Sequence, residues 1–181
     1  MTSDSREKMI RATVDLLRER GYSGTSLGDV LARSGGPRGS IYHHFPGGKD
    51  ELVTEALRRY TASIERRIAA PGSAVDTVRA LLSAMREGLR ATDFSHGCAV
   101  AAVVLDASSA AVGSPAAEAL ASWRSVLAGA LVRDGFSTQR AARLATLVIA
   151  AFEGAIILSR ADRDTAPLDA VEAELVALLR P

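Results

Sequence analysis

The side chains most suited to chemistry in this chain lie close together in residues 26–49, which read SLGDVLARSGGPRGSIYHHFPGGK. Between residues 33 and 49 there is no Asp or Glu, and this favours binding to a polyanion. Hydroxyl, imidazole and cationic groups are the groups that contact DNA phosphates and base edges. The stretch supplies them at Arg38, Ser40, Tyr42, His43, His44 and Lys49. It is therefore predicted to bind DNA.

Other chemistries that these residues suggest fail on spacing. Adjacent His43 and His44 would point about 100° apart on a helix, so they cannot easily share a metal ion. Residues 47–49 share the letters GGK with a nucleotide-binding phosphate loop, but Asp50 stands where that motif needs Ser or Thr. We predict neither a metal site nor a cofactor.

A nucleophile and a base also occur two positions apart, at Cys98 and His96. Catalysis by such a pair needs a third, orienting group and a site that stabilises an oxyanion, and the sequence identifies neither. Cys98 is interpreted as a small buried hydrophobe and His96 as a hydrogen-bonded polar residue. We therefore predict no catalytic residues and a protein that is not an enzyme.

Composition bounds the class of protein. The 181 residues are 48% hydrophobic with a net charge of +1, and residues 1–60 hold ten Lys/Arg against eight Asp/Glu. A DNA-contacting surface must therefore be local. The single cysteine excludes an intramolecular disulfide. The most apolar segment, residues 144–158, contains Glu153 and is too short to span a membrane. These features predict a cytoplasmic protein without a membrane partner.

Apolar residues recur at helical spacing along the whole chain, which predicts an all-α fold of about nine helices. Ser26, Ser73 and Ser137 are predicted to cap helices. The sixth helix is apolar almost all round and is expected to be buried. The predicted helices cover approximately residues 4–20, 26–35, 38–44, 49–70, 73–91, 97–108, 114–134, 137–160 and 167 onwards.

The first three predicted helices contain enough apolar residues for a small rigid core that holds the third helix at a fixed angle. These residues are Met9, Ile10, Val14, Leu17, Leu27, Val30, Leu31, Ile41 and Phe45. Pro71-Gly72 ends the fourth helix, and we place a domain boundary there, between residues 1–70 and 71–181. The fourth helix reaches both domains, so it is expected to act as a lever between them.

Residues 5–57 resemble the N-terminal domain of TetR-family transcriptional regulators. The resemblance runs through GYSGTSLGDVLARSGGPRGSIYHHFPGGKDEL, which has the family's glycine, tyrosine, phenylalanine and lysine in order. Phe45 and Lys49 are one residue further apart than is usual in the family. This longer corner and the later SHGCAVAAVVLDAS are similar to the LmrA-like branch, whose members include drug- and flavonoid-responsive repressors.

The resemblance implies an all-α homodimer whose N-terminal domain, three helices plus the fourth, binds DNA. It also implies a C-terminal domain for ligand and dimer contacts, and repression that lasts until a small molecule binds. By position, phosphate contacts are expected from Thr25, Ser26, Tyr42 and Lys49. Base contacts are expected from Arg38, Gly39, Ser40 and His43, while His44 would serve either purpose.

An effector pocket in a helical bundle is apolar with a few polar groups. The candidate lining residues are Met85, Phe94, Cys98, Val104, Trp123, Leu127 and Phe152, each of which would serve equally well as plain core. Glu153 is either a polar pocket group or part of a dimer surface. The last two predicted helices are expected to form a four-helix dimer interface, or else to close the monomer's own core.

We predict a ligand-responsive repressor that binds a near-palindromic double-stranded DNA operator as a homodimer and is released by a small hydrophobic effector. An activator of the same family would share every feature above. A helical ligand-binding protein or small enzyme without a DNA function is the alternative from another class. Sequence-specific DNA binding would separate that alternative from the first two.

Overall fold

The computed structural model describes residues 2–37, 39–106 and 110–180, which form nine helices and no strand. The predicted all-α class is therefore confirmed for this part of the chain. The helices are α1 (Thr2–Arg20), α2 (Leu27–Ser34), α3 (Ser40–His44), α4 (Gly48–Ile68), α5 (Ala74–Ala91), α6 (Ala99–Asp106), α7 (Ala110–Arg133), α8 (Thr138–Asp162) and α9 (Ala166–Leu178).

Three helices begin where the sequence predicts, because a serine side chain binds an amide of the first turn. At α2, the Ser26 hydroxyl accepts from the Asp29 amide at 3.1 Å, and the Asp29 carboxylate accepts from the Ser26 amide. Ser73 and Asp76 form the same capping box at α5. Ser137 caps α8 with its side chain. These bonds join atoms three residues apart, so a local pattern is enough to predict them.

The predicted start of α7 is wrong, since Ser114 and Pro115 were expected to form its cap. The helix begins at Ala110 and contains Pro115 in its interior. Proline has no N–H, so the carbonyl of Ala111 loses its helical donor. The Thr54 hydroxyl of α4 donates to that carbonyl at 3.4 Å and offsets the missing bond.

The expectation that the sixth helix is buried all round is also wrong. In α6, Val100 and Val103 are buried, whereas Val104 is 43% and Leu105 is 81% exposed. The helix packs against α1, and a helix packed on one neighbour buries only one of its sides.

The chain divides into two compact units by packing. One unit is Met1–Thr61 with Cys98–Ala119, and the other is Ala62–Gly97 with Leu120–Pro181. This division differs from the predicted boundary after residue 70, because α6 and the beginning of α7 pack with the N-terminal helices. The assignment of a DNA-binding and a ligand-binding function to residues 1–70 and 71–181 stays a prediction.

The first unit contains the predicted three-helix core. Its buried apolar residues include Met9, Ile10, Leu17, Val30, Ile41 and Phe45, and its partly buried ones include Val14, Leu27 and Leu31. The core residues predicted from the sequence are thus confirmed. Leu52 and Ala56 of α4 extend the same core. Because the core takes side chains from all four helices, it fixes the orientation of the short α3.

In the second unit, α5, α8 and α9 pack against one another. α8 buries Leu144, Val148 and Ile156, while Leu147 and Ile157 on other sides of the helix are 45% and 63% exposed. By length and composition α8 would be able to cross a membrane, but this is weak evidence because core helices of soluble proteins pass the same test. α8 thus exposes apolar side chains, and the dimer interface predicted for the last two helices stays a prediction.

Candidate nucleic-acid interface

The short helix α3 has a buried side and an exposed side. Ile41 is 1% exposed and Phe45, which follows the helix, is fully buried. Between them Tyr42 is 62% exposed, His43 is exposed and His44 is half-buried. The two imidazole rings lie edge to face with centroids 5.1 Å apart. Two apolar anchors therefore hold a set of polar rings at the surface.

The residues that lead into α3 leave space in front of it. Gly39 is exposed, and a Cβ added there would meet no atom within 4 Å. The Ser40 hydroxyl donates to the Pro37 carbonyl at 2.7 Å, which closes the first turn. Arg38 lies outside the described residues. The packing of the chain itself does not require glycine at position 39, and the base contact expected there stays a prediction.

The residues before α2 differ in exposure. Ser26 is exposed, whereas Thr25 is 2% exposed and its hydroxyl donates to the Gly21 carbonyl at 2.7 Å. The hydroxyl proton of Thr25 is thus used inside the turn. The structure gives Thr25 a place in the turn rather than on the surface, which disfavours the predicted phosphate contact through its side chain.

Lys49 lies in the first turn of α4, and its position is fixed by a residue absent from the predicted site. Its ammonium nitrogen is 3.9 Å from the centroid of the Tyr22 ring, a cation–π contact. The Tyr22 hydroxyl donates to the Asp50 carboxylate, and this bond raises the pKa of Tyr22 to about 12. Gly48 has φ 70°, a left-handed conformation that glycine adopts without strain. The longer corner before Lys49 is therefore built around a glycine.

Tyr22 stands in the GYSG sequence that carries the family resemblance, so a local signal for it existed. Asp106, at the end of α6, had no such signal. Its Oδ2 atom accepts from the amide of Ser23 at 2.6 Å, across 83 residues of sequence. Hydrogen bonds from Ser23, together with the positive charge of Lys49, lower the pKa of the Asp106 carboxyl. Asp106 is therefore a carboxylate at the edge of the candidate interface.

The predicted effector-pocket residues are divided between the two units. Met85, Trp123 and Leu127 are buried in the second unit, which also contains the partly exposed Phe94 and Phe152. Cys98 is buried in the first unit, where Val104 is exposed. The exposure of Val104 argues against a lining role for that residue, and the role of the others stays a prediction.

The second unit also has an open groove of about 550 Å³ between α5 and α9. Its lining residues are Arg79, Arg86, Asp169, Glu172, Ala173 and Val176. Arg86 binds Asp169 at 2.6 Å and also pairs with Glu172, so the opposite charges of the groove largely neutralise each other. None of the predicted pocket residues lines this groove, and its polar character does not match an apolar effector.

Comparison with known families agrees with this geometry. Residues 9–56 match the family model of the bacterial regulatory proteins of the tetR family. Residues 74–174 match the model of the C-terminal domain of LmrA/YxaF-like transcriptional regulators. The first match contains α2, α3 and the beginning of α4, and therefore includes the exposed Tyr42 and His43 as well as Lys49.

Individual proteins are similar over nearly the full length. An uncharacterised HTH-type transcriptional regulator of Mycobacterium tuberculosis is 38% identical, over 96% of this chain and 93% of that protein. The HTH-type transcriptional regulator LmrA of Bacillus subtilis is 34% identical over 91% of each chain. A TetR transcriptional regulator from Legionella pneumophila has a solved structure with a TM-score of 0.84, covering 95% of each chain at 20% identity. At that identity the last comparison shows a shared fold.

Proposed function

Because the chain belongs to the TetR family of bacterial transcriptional regulators, with an LmrA/YxaF-like C-terminal domain, we propose that it represses transcription from a near-palindromic operator. It binds the operator as a homodimer, and a small hydrophobic effector releases it. Family membership makes the chain a helix-turn-helix transcriptional regulator. Our proposal goes beyond family membership in three respects: repression in place of activation, a near-palindromic operator, and release by a small hydrophobic effector.

One observation carries the DNA-binding part of the proposal. α3 exposes Tyr42 and His43 while Ile41 and Phe45 anchor it in the core. A recognition helix enters the major groove with its orientation fixed by the helices behind it, and α3 has this support. Lys49 and the amides of the first turn of α4 are then suited to a neighbouring phosphate.

Dimerisation rests on the apolar face of α8. Leu147, Ile157 and Leu158 are between 45% and 63% exposed. Leu147 and Leu158 share a face with Gly154, where an added Cβ would meet no atom within 4 Å. Exposed apolar patches of this kind mark interaction surfaces. A two-fold axis through this face presents one recognition helix to each of two major grooves, roughly 34–36 Å apart.

Release by an effector follows from linkage. A small molecule that binds the second unit in a state with a different helix spacing weakens operator binding without touching DNA. A coupling free energy of about 1–3 kcal/mol is typical of such systems. The buried Met85, Trp123 and Leu127 supply apolar contacts for a ligand of this kind once their packing opens.

The test is DNA binding by the purified dimer, measured by fluorescence anisotropy on the DNA flanking its gene and on a scrambled duplex of equal length. Wild type is expected to prefer an inverted repeat in the flanking DNA. Tyr42→Phe and Arg38→Ala are expected to weaken that binding by roughly fivefold or more, the value of one lost hydrogen bond in each subunit. Lys49→Ala is expected to weaken both duplexes and to flatten the salt dependence.

The matched control is Arg124→Ala, which removes one positive charge from an exposed residue of α7. If the three variants bind like this control, the assignment of α3 and Lys49 to DNA is wrong. A reporter gene behind the same operator distinguishes repression from activation. Loss of the protein raises expression in the first case and lowers it in the second.

A further inference from the structure

Asp106 of α6 touches the turn between α1 and α2, although nothing in the proposed DNA contacts includes it. We infer that Asp106 is a positioning residue for operator recognition: its carboxylate holds the turn of residues 21–24 in the form that sets the start of α2 and limits the positive charge around Lys49. This inference rests on the proposed function. It adds a residue of the sixth helix to the machinery of DNA recognition.

The contact is close and directional. The Ser23 amide donates to Asp106 Oδ2 at 2.6 Å. Gly21 lies beneath the same carboxylate, and a Cβ added there would be 2.8 Å from Oδ2. Gly21 also has φ 72°, which favours glycine. The turn is therefore shaped to receive a carboxylate in this place, and any side chain at position 21 would displace it.

The turn of residues 21–24 also fixes the position of the residues that begin α2. The amide of Thr25 donates to the Tyr22 carbonyl at 3.1 Å, and its hydroxyl donates to the Gly21 carbonyl at 2.7 Å. Thr25 is followed directly by Ser26, the cap of α2. A change in the turn therefore displaces the exposed start of α2, where a phosphate contact is proposed. Such a displacement should weaken operator binding, which depends on the register of α2 and α3 against the duplex, more than it weakens non-specific binding.

The negative charge of Asp106 has a second effect, which is to weaken the attraction of this corner for DNA of any sequence. Its carboxylate is close enough to Lys49 for the lysine charge to lower its pKa. Lys49 lies over the ring of Tyr22, and Tyr22 directly precedes Ser23 in the sequence. Removal of the carboxylate makes this corner more positive, which strengthens binding to any DNA. Loss of Asp106 should therefore weaken specific binding while leaving non-specific binding unchanged or tighter.

The experiment compares wild type, Asp106→Asn and Glu118→Gln as full-length proteins. The control variant removes one negative charge from an exposed residue of α7, so the two variants have the same net charge. Dissociation constants are measured for the operator duplex and for a scrambled duplex at one salt concentration. Because Asp106 is exposed, the asparagine variant is expected to fold, and circular dichroism with sedimentation checks that it does.

For Asp106→Asn, operator binding is expected to weaken by about tenfold, roughly threefold in each of two subunits, because the amide oxygen of asparagine accepts from the Ser23 amide less strongly than a carboxylate does. Binding to the scrambled duplex is expected to stay equal or become tighter. The dissociation constant for the scrambled duplex divided by that for the operator therefore falls. Glu118→Gln should leave this ratio unchanged. A fall in ratio is not expected from a general loss of folded protein, because that loss weakens both duplexes equally.

One result overturns the inference: a ratio that is unchanged for Asp106→Asn, whether both dissociation constants stay the same or both rise by the same factor. If the asparagine variant does not fold, hydrogen exchange on the wild type decides instead. The Ser23 amide should then exchange more slowly than that of Gly24 and should gain further protection on operator binding; without these differences the inference fails. A wild type that shows no preference for any flanking sequence refutes the proposed function itself, before the variants are compared.

Discussion

Glu55 of α4 is the residue whose removal should most clearly weaken the support of the DNA-reading helices. Its carboxylate binds Arg58 at 2.8 Å and Arg59 at 3.0 Å on its own helix, and Arg6 of α1 at 3.4 Å. Arg59 also reaches Glu7 of α1 at 2.5 Å. The Glu55 side chain is only 16% exposed, so this network joins α1 to α4 at a nearly buried point.

The size of the effect follows from the pKa of Glu55. Hydrogen bonds from Arg58 and then from Arg59 lower that pKa from 4.5 to about 2. At about 1.4 kcal/mol per pKa unit, the shift corresponds to at most about 3.5 kcal/mol of stabilisation. The three arginines are between 36% and 66% exposed, so solvent screens their charges. We therefore expect Glu55→Gln to lower the free energy of unfolding by about 1–2 kcal/mol at pH 7.

The pH dependence has a definite sign. The folded-state pKa of Glu55 is below its unfolded value, so its contribution is complete above pH 4.5 and is lost as the pH falls towards 2. The assay is urea unfolding of wild type, Glu55→Gln and the exposed control Glu118→Gln. All three are measured at one fixed protein concentration, because the proposed dimerisation would make stability depend on concentration. The gap between wild type and Glu55→Gln should narrow below about pH 4.5. An equal gap at pH 7 and pH 3, or the same stability for both variants at pH 7, would refute the reasoning.

Two further predictions concern the turn after α2 and the dimer surface. Gly35 has φ 69°, and a Cβ there would meet no atom within 4 Å, so Gly35→Ala should cost about 1 kcal/mol of unfolding free energy from backbone strain alone. Gly35→Asn should cost less, and equal urea midpoints for wild type and Gly35→Ala would contradict this account. Ile157 is 63% exposed on α8, and Ile157→Glu should produce a folded monomer in sedimentation, whereas Glu118→Gln stays dimeric. A dimer for Ile157→Glu at micromolar concentration would exclude α8 as the interface.

The features that the sequence predicted correctly depend on neighbours in the chain. The capping box at Ser26 needs only a carboxylate three residues later, and the box at Ser73 repeats it. The buried side of α3 follows from the spacing of Ile41 and Phe45, which places both on one face of a single helical turn. Helical periodicity fixes which residues share a face, so the core of the first unit was also predictable.

The features that the sequence did not predict depend on distant partners. Pro115 breaks the local hydrogen-bond pattern, and the Thr54 hydroxyl of another helix donates to the carbonyl that the proline leaves without a helical donor. Asp106 belongs to the candidate interface only because α6 packs on α1. Val104 is as apolar as its buried neighbours Val100 and Val103, yet it is 43% exposed. Composition carries no information about such contacts.

The net charge of the protein is only +1, so we expect DNA recognition to depend on contacts between distant residues as well as on charge. Two cations near α3 already have partners within the protein. Arg33 binds the Glu19 carboxylate through two bonds at 2.7 and 2.8 Å, and Lys49 stands over the Tyr22 ring. Counterion release from the remaining phosphate contacts then supplies the part of the binding free energy that is indifferent to sequence. The remainder must come from hydrogen bonds whose strength depends on the register of α2 and α3 against the duplex. We therefore expect the Asp106 carboxylate, which contacts the turn before α2, to affect specificity more than one additional cation would.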